Sequence, residues 1–244
     1  MDSTKLDPAD LLVSWAAQWG LAISPFQLTQ FETYAEALVR YNAHTNLTAI
    51  TDKAGIYVRH FLDSLALAPE LGPDPGSLVD LGSGAGFPGL PLKLVCPTLQ
   101  LTLVDSVGKK TAFLHALVAE LGLEQVRIIT GRAETLGRDP AEREQHTLVT
   151  ARAVADLRVL AEYGLPLLRI GGRLLAPKGA DAAQEVALAQ TAVAQLGGKL
   201  ERISPVQLPG IEARSLVVIT KVRPTAARFP RPVGVATRRP LGGN

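Results

Sequence analysis

The sequence predicts an α/β fold, a mainly parallel sheet with an antiparallel last strand and an N-terminal helical extension. Short apolar runs alternate with amphipathic helical patterns from residue 78 to residue 196, which argues for βαβ units covered by helices on both faces. The last two strand-like runs flank Pro209-Gly210, too short a connection for a crossover helix, so that pair must be antiparallel. The segment before the Gly72-Pro73-Asp74-Pro75-Gly76 break reads as helical.

That break divides a helical extension, residues 1–72, from an α/β domain, residues 73–222, with a basic proline-rich tail at 223–244. In the extension, Ser24-Pro25-Phe26-Gln27 places a capping serine before a proline at the first helical position and a glutamine three residues after the cap. Leu28, Phe31, Tyr34, Ala35, Leu38 and Tyr41 then line one helix face, and Tyr57, Phe61, Leu65 and Leu67 suggest a second helix. The predicted strands are Leu78–Leu81, Leu101–Val104, Val126–Ile129, Thr147–Val149, Arg173–Leu175, Lys199–Val206 and Ser215–Val222, which makes seven. Helical patterns fall near Leu90–Val95, Thr111–Leu121, Leu157–Leu168 and Ala182–Leu196.

The 244 residues, 47% hydrophobic and 20% charged, suffice for one α/β domain with an appendage. The single cysteine, Cys96, excludes an internal disulfide framework and a thiolate metal cluster, and its apolar neighbours predict a buried thiol. No basic flank precedes an apolar stretch at the start, and no run reaches the roughly 18 apolar residues that span a bilayer. A cytoplasmic protein without membrane or metal partners is expected, monomeric by default. The net charge of +2 conceals an asymmetry: residues 221–244 hold six of the 25 basic residues and no acid. Nineteen basic residues therefore face 23 acids in the first 220, a formal charge of −4. Such a tail either meets a polyanion, gaining from counterion release, or is a solvated, disordered end.

The segment from Leu78 to Gly89 carries the most chemistry. A strand ends near Asp80, glycines occupy alternate positions at Gly82, Gly84 and Gly86, and a helix starts near Pro88. Glycines let the backbone turn tightly beside a ligand, and the helix start offers unpaired amides to an anionic group. Gly84 to Gly89 fits the dinucleotide pattern G-x-G-x-x-G. A dinucleotide, however, leaves Gly82 and Asp80 without a role. Asp80 followed by the alternating glycines resembles the first motif of class I methyltransferases, whose Rossmann-like turn holds the amino-acid end of S-adenosylmethionine. Asp105 ends the second strand about 20 residues on, where a carboxylate accepts ribose hydroxyls. The competing role for Asp105 is to cap the helix from Gly108.

Beyond these motifs, nearly the whole chain resembles the bacterial small-subunit rRNA guanine-N7 methyltransferases called RsmG or GidB. The resemblance rests on Asn46-Leu47-Thr48, Val58-Arg59-His60-Phe61-Leu62-Asp63-Ser64 and Asp80 through Leu92. It continues with Leu103 through Lys110, Gly131-Arg132-Ala133-Glu134, Ala151-Arg152-Ala153, Lys178-Gly179, and Phe229-Pro230-Arg231-Pro232 with Arg238-Arg239-Pro240-Leu241. It implies S-adenosylmethionine-dependent methylation of a guanine N7 in 16S rRNA, on the 30S subunit or a precursor. Gly82, Phe87, Ala133, Glu134 and Arg152 are the cofactor contacts that it implies. The tail at Val233–Thr237 departs from the family's usual ending.

Guanine N7 already carries a lone pair, so transfer from a sulfonium needs no general base, and no catalytic residue is expected. Alignment and electrostatics then carry the rate. Candidate RNA contacts are Arg59, His60 and Lys178, together with Arg231, Arg238 and Arg239 of the tail. Arg59 and His60 have the alternative of a salt bridge with Asp63, and Asn46 the alternative of a turn cap. Two other classes share parts of this pattern. A methyltransferase acting on protein or a small molecule would not need the Arg59-His60 block or the basic tail. A non-enzymatic RNA binder would tolerate loss of Gly82, Gly84 or Asp105.

Overall fold

The computed structural model describes residues 7–152 and 156–242. The first six residues, the last two and Ala153 of the Ala151-Arg152-Ala153 motif lie outside the described residues.

Helices α1 (Pro8–Gln18) and α2 (Pro25–Thr45) come first. Ser24 and Gln27 close the predicted capping box reciprocally at the start of α2. A run from α3 (Lys53–Ile56) through a π-helical segment, Tyr57–Leu62, to α4 (Asp63–Leu65) follows. Then come β1 (Ser77–Leu81), α5 (Gly89–Val95), β2 (Gln100–Asp105), α6 (Gly108–Glu120), β3 (Val126–Thr130), α7 (Ala133–Leu136) and β4 (His146–Thr150). The chain continues through α8 (Leu157–Gly164), β5 (Leu168–Lys178), α9 (Ala182–Gln195), β6 (Gly198–Val206), β7 (Arg214–Lys221) and α10 (Val235–Arg238).

The seven strands form one sheet in the order β3-β2-β1-β4-β5-β7-β6. The first five pair in parallel, and β7 runs antiparallel to both β5 and β6. Side chains alternate across each strand, and two cores result. Leu78, Leu101, Leu103, Leu148, Leu175 and Val218 face the core shared with α1, α2, the 56–71 segment, α5 and α6. Val79, Leu81, Val104, Val149, Leu174 and Val217 face the core shared with α8, α9 and the tail. The chain order reverses between β1 and β4, which opens a crevice at the carboxyl ends of the strands.

Three expectations change. Helix α1 was not anticipated, although Asp7 caps it by accepting from the Ala9 amide and Pro8 starts it. Cys96 is the C-cap of α5 and is half-buried rather than enclosed. The tail is folded rather than solvated: Phe229 and Ala236 are buried in the second core, and Lys221 donates from a fully buried position to the Leu165 carbonyl.

Candidate active site

The turn after β1 is fixed from three sides. Gly82 and Gly84 adopt φ of +66° and +57°, the left-handed region that an L side chain resists. A Cβ on Gly84 would meet only the Gly82 carbonyl at 3.8 Å, so the turn's outer face is open to a ligand. Between the glycines, the Ser83 amide donates to the Val104 carbonyl and its hydroxyl accepts from the Val104 amide, tying the turn to β2. From α2, the Tyr34 hydroxyl donates to the Ala85 carbonyl at 2.6 Å. Below the turn, Asp80 is fully buried and its Oδ2 accepts the Gly89 amide at 2.9 Å, while Oδ1 has no partner among the described residues. Burial pushes the Asp80 carboxyl up to about 7 against the Gly89 hydrogen bond, which acts the other way.

Asp105 reaches back to the turn. Its Oδ2 accepts the Gly84 amide at 3.0 Å and its Oδ1 the Val107 amide at 2.9 Å. Neither bond caps α6, whose N-cap is Val107. Each carboxylate oxygen keeps a further acceptor site. A cavity of about 390 Å³ opens beside it, within the usual size range of small-molecule sites. Gly82, Asp105, Ala133, Glu134 and Arg152 line this cavity, as does Tyr163. Asp80, Gly84, Gly86 and Phe87 are not in its wall and instead shape and support the turn. The groups in the wall fit a nucleoside-bearing cofactor: buried carboxylates at Asp105 and Glu134 beside an open glycine backbone.

A second cavity of about 450 Å³ lies at the carboxyl ends of β4 and β5. Arg59, His60 and Lys178 line it, and so does Arg214, which the sequence reading missed. Arg152 belongs to both cavities. Its guanidinium donates to Asp63 at 2.9 Å and to the Arg59 carbonyl at 3.0 Å, and sits 4.9 Å from the centre of the Phe87 ring. Phe87 is stacked between Tyr34, at 5.2 Å, and His60, at 4.5 Å. His60 also bonds the Thr48 hydroxyl at 2.8 Å. Burial and the Arg152 charge bring the His60 pKa down to about 4, so its ring is neutral at pH 7. Asp63 therefore pairs with Arg152 and lies 3.8 Å from Arg214, and not with Arg59 or His60. The Arg59 guanidinium is exposed and has no partner among the described residues. Lys178 is mostly buried and donates to Glu185 at 2.7 Å.

Other candidates lie apart from both cavities. Asn46 is the left-handed C-cap of α2. Arg231 grips the buried Glu162 through its amide, Nε and Nη2. Arg238 and Arg239 are exposed on and just after α10. Arg214 had one legible signal: it opens an antiparallel strand, whose first residues stand beside the carboxyl ends of the parallel ones.

Comparison with known proteins identifies the family. The sequence profile of the GidB family, described as rRNA small subunit methyltransferase G, matches residues 27–216. The chain belongs to this family. It is 56% identical to the Ribosomal RNA small subunit methyltransferase G of Roseiflexus sp. (strain RS-1), over 95% of this chain and 99% of that protein. Identity is 54% to the protein of the same name from Chloroflexus aggregans, over 95% and 97% of the two chains. Among solved structures, a 16S rRNA (adenine(1408)-N(1))-methyltransferase from Catenulisporales acidiphilia aligns with a TM-score of 0.51 at 17% identity, over 61% of this chain and 86% of that one. A geranyl diphosphate methyltransferase in complex with S-adenosylmethionine aligns at 0.50 and 18%, over 66% and 85%. These two share the class I methyltransferase fold with this GidB-family chain, an enzyme whose methyl donor is S-adenosylmethionine. No described helix is long and apolar enough to cross a membrane.

Proposed function

We propose that this enzyme methylates N7 of one guanine in 16S rRNA, on the 30S subunit or a precursor of it. The single observation that carries this reading is Arg152, the shared wall between a nucleoside-sized cavity and a basic one. The names of the relatives supply the rRNA. Four cationic side chains, Arg59, Arg152, Lys178 and Arg214, line the second cavity against two carboxylates, Asp63 and Glu185. Such an excess suits a phosphate-bearing substrate.

The bound cofactor would supply an electrophilic methyl group from its sulfonium. Asp105 and Glu134 would hold its ribose and adenosine end, and the backbone around Gly82 its amino-acid end. Because N7 has its own lone pair, the chain has only to align and desolvate the base. His60, neutral at pH 7 and bonded to Thr48, supports Phe87 and adds no charge beside a purine that becomes cationic. In this reading residues 1–72 present Arg59 to the RNA, residues 73–222 hold the cofactor, and residues 223–244 brace it. The expected setting is a cytoplasmic monomer acting on ribosomal particles.

The test is transfer of tritium from labelled S-adenosylmethionine to 30S subunits from cells lacking the modification, with 50S subunits as control. One labelled guanine N7 in 16S rRNA is the expected product. Label on 50S subunits, on another atom or on protein would overturn the assignment.

A further inference from the structure

Behind the cofactor cavity lies a segment that touches none of its space yet holds two of its walls. The Gly234 amide donates to Glu134 Oε1 at 2.9 Å, and the Thr237 hydroxyl lies 3.1 Å from the Tyr163 hydroxyl. Glu134 and Tyr163 both line the cavity, whereas Gly234 and Thr237 do not. Glu134 is only 4% exposed, so any freedom of its carboxylate is set by protein partners rather than by water.

The segment is anchored well beyond what a loose end requires. Arg231 makes an ion pair with Glu162, which is wholly buried. Arg138 donates to the Pro230 carbonyl at 2.7 Å, and Arg143 donates to the carbonyls of Phe229 and Thr225 at 2.7 and 2.6 Å. Ala236 is fully enclosed against the second core. These groups come from α8 and from the stretch after α7, the same part of the fold that forms the adenosine side of the cavity.

A carboxylate with one oxygen fixed by an amide presents the other in a defined direction, and such support for a contacting group is worth affinity. We propose that residues 229–238 are a positioning element of the cofactor site. Gly234 orients Glu134 and Thr237 orients Tyr163, so the adenosine end of S-adenosylmethionine is gripped fully only when this segment is docked. Gly234 and Thr237 act through other residues and are positioning residues. The inference rests on the cofactor assignment and is independent of the RNA substrate.

Calorimetric titration of the full-length protein with S-adenosylmethionine and with 5′-methylthioadenosine tests it, because the second ligand keeps the adenosine and lacks the amino acid. Gly234 has φ of +77°, so Gly234→Ala strains the backbone and turns its amide away, although a Cβ finds no atom nearer than 3.9 Å. Thr237→Val removes the hydroxyl. Each variant should weaken both ligands by the same factor, about three- to tenfold. The KM for cofactor should rise while kcat on RNA is retained. Leu188→Ala, at an exposed position on α9 outside the segment and both cavities, should match the wild type. Truncation after residue 228 should cost about tenfold or more. Should that protein fail to fold, the two single variants, checked by thermal unfolding, decide the matter. Folded Gly234→Ala and Thr237→Val proteins with wild-type affinity for both ligands would overturn the proposal, as would a loss confined to RNA binding. A wild-type protein that binds neither ligand would strike the cofactor assignment itself.

Discussion

Asp80 and His60 are both buried beside the glycine-rich turn, yet burial acts on them in opposite senses. The folded chain holds Asp80 at about 7 against 3.8 for a free aspartate, so it binds more protons than the unfolded chain between those values. Stability from this group is therefore greatest in acid and declines as pH rises from about 4 to about 7. His60, brought down to about 4 from 6.5, works the other way: its contribution is present above 6.5 and is lost as pH falls toward 4. The two slopes oppose each other below 6.5, and only the Asp80 slope remains above it. An Asp80→Asn protein should gain thermal stability relative to wild type as pH rises from 5 to 8 in the absence of cofactor. Parallel melting curves across that range would refute the shifted carboxyl. Asp80, Gly82 and Asp105 stood out in the sequence because a glycine turn after a strand and an acid at the next strand's end are local patterns, whereas Glu134 came only from the family resemblance. Tyr163 carried no such signal and Arg214 only its place at the start of the antiparallel strand, since their positions arise from which helix or strand lies next to which cavity.

At the scale of elements, α2 links the ends of the argument from sequence to site. Its capping box, visible as Ser24 and Gln27, starts a helix whose Tyr34 then meets the turn. Gln27 has a second use, donating through Nε2 to the Leu94 carbonyl at the end of α5. Ser24→Ala should cost about 1 kcal/mol of unfolding free energy, as N-cap losses do, and chemical denaturation measures it. A change within error would mean that Gln27 alone holds the helix start. The sheet was legible strand by strand because apolar alternation and Pro-Gly turns are local signals. The π-helical segment bearing Arg59 and His60 was not, since its apolar spacing matches that of an ordinary helix. The order of the tail was hidden for a different reason. Prolines and arginines usually signify solvent, and only the fold reveals that Arg231 meets the buried Glu162, 69 residues away.

Taken whole, the molecule turns its cationic side chains to two uses. Arg143, Arg231 and Lys221 bind parts of the fold together, whereas Arg59, exposed, and Arg214, half-buried near Asp63, stand at the second cavity. Replacing Arg59 and Arg214 together by Ala should reduce the slope of log affinity for RNA against log salt by about one to two, with cofactor affinity retained. An unchanged slope would place the RNA path elsewhere, with Arg238 and Arg239 as the next residues to replace. The stacked rings reach further than affinity. Phe87 belongs to the glycine-rich turn, while Tyr34 and His60, on either side of it, belong to the helices that precede the sheet. A chain that exchanged those helices for others would lose the shelf on which the glycine-rich turn rests. Wholesale replacement of the first segment would therefore have to supply a new support for Phe87. Point substitution at Arg59 in the second cavity asks for no such replacement, because its side chain has no partner among the described residues.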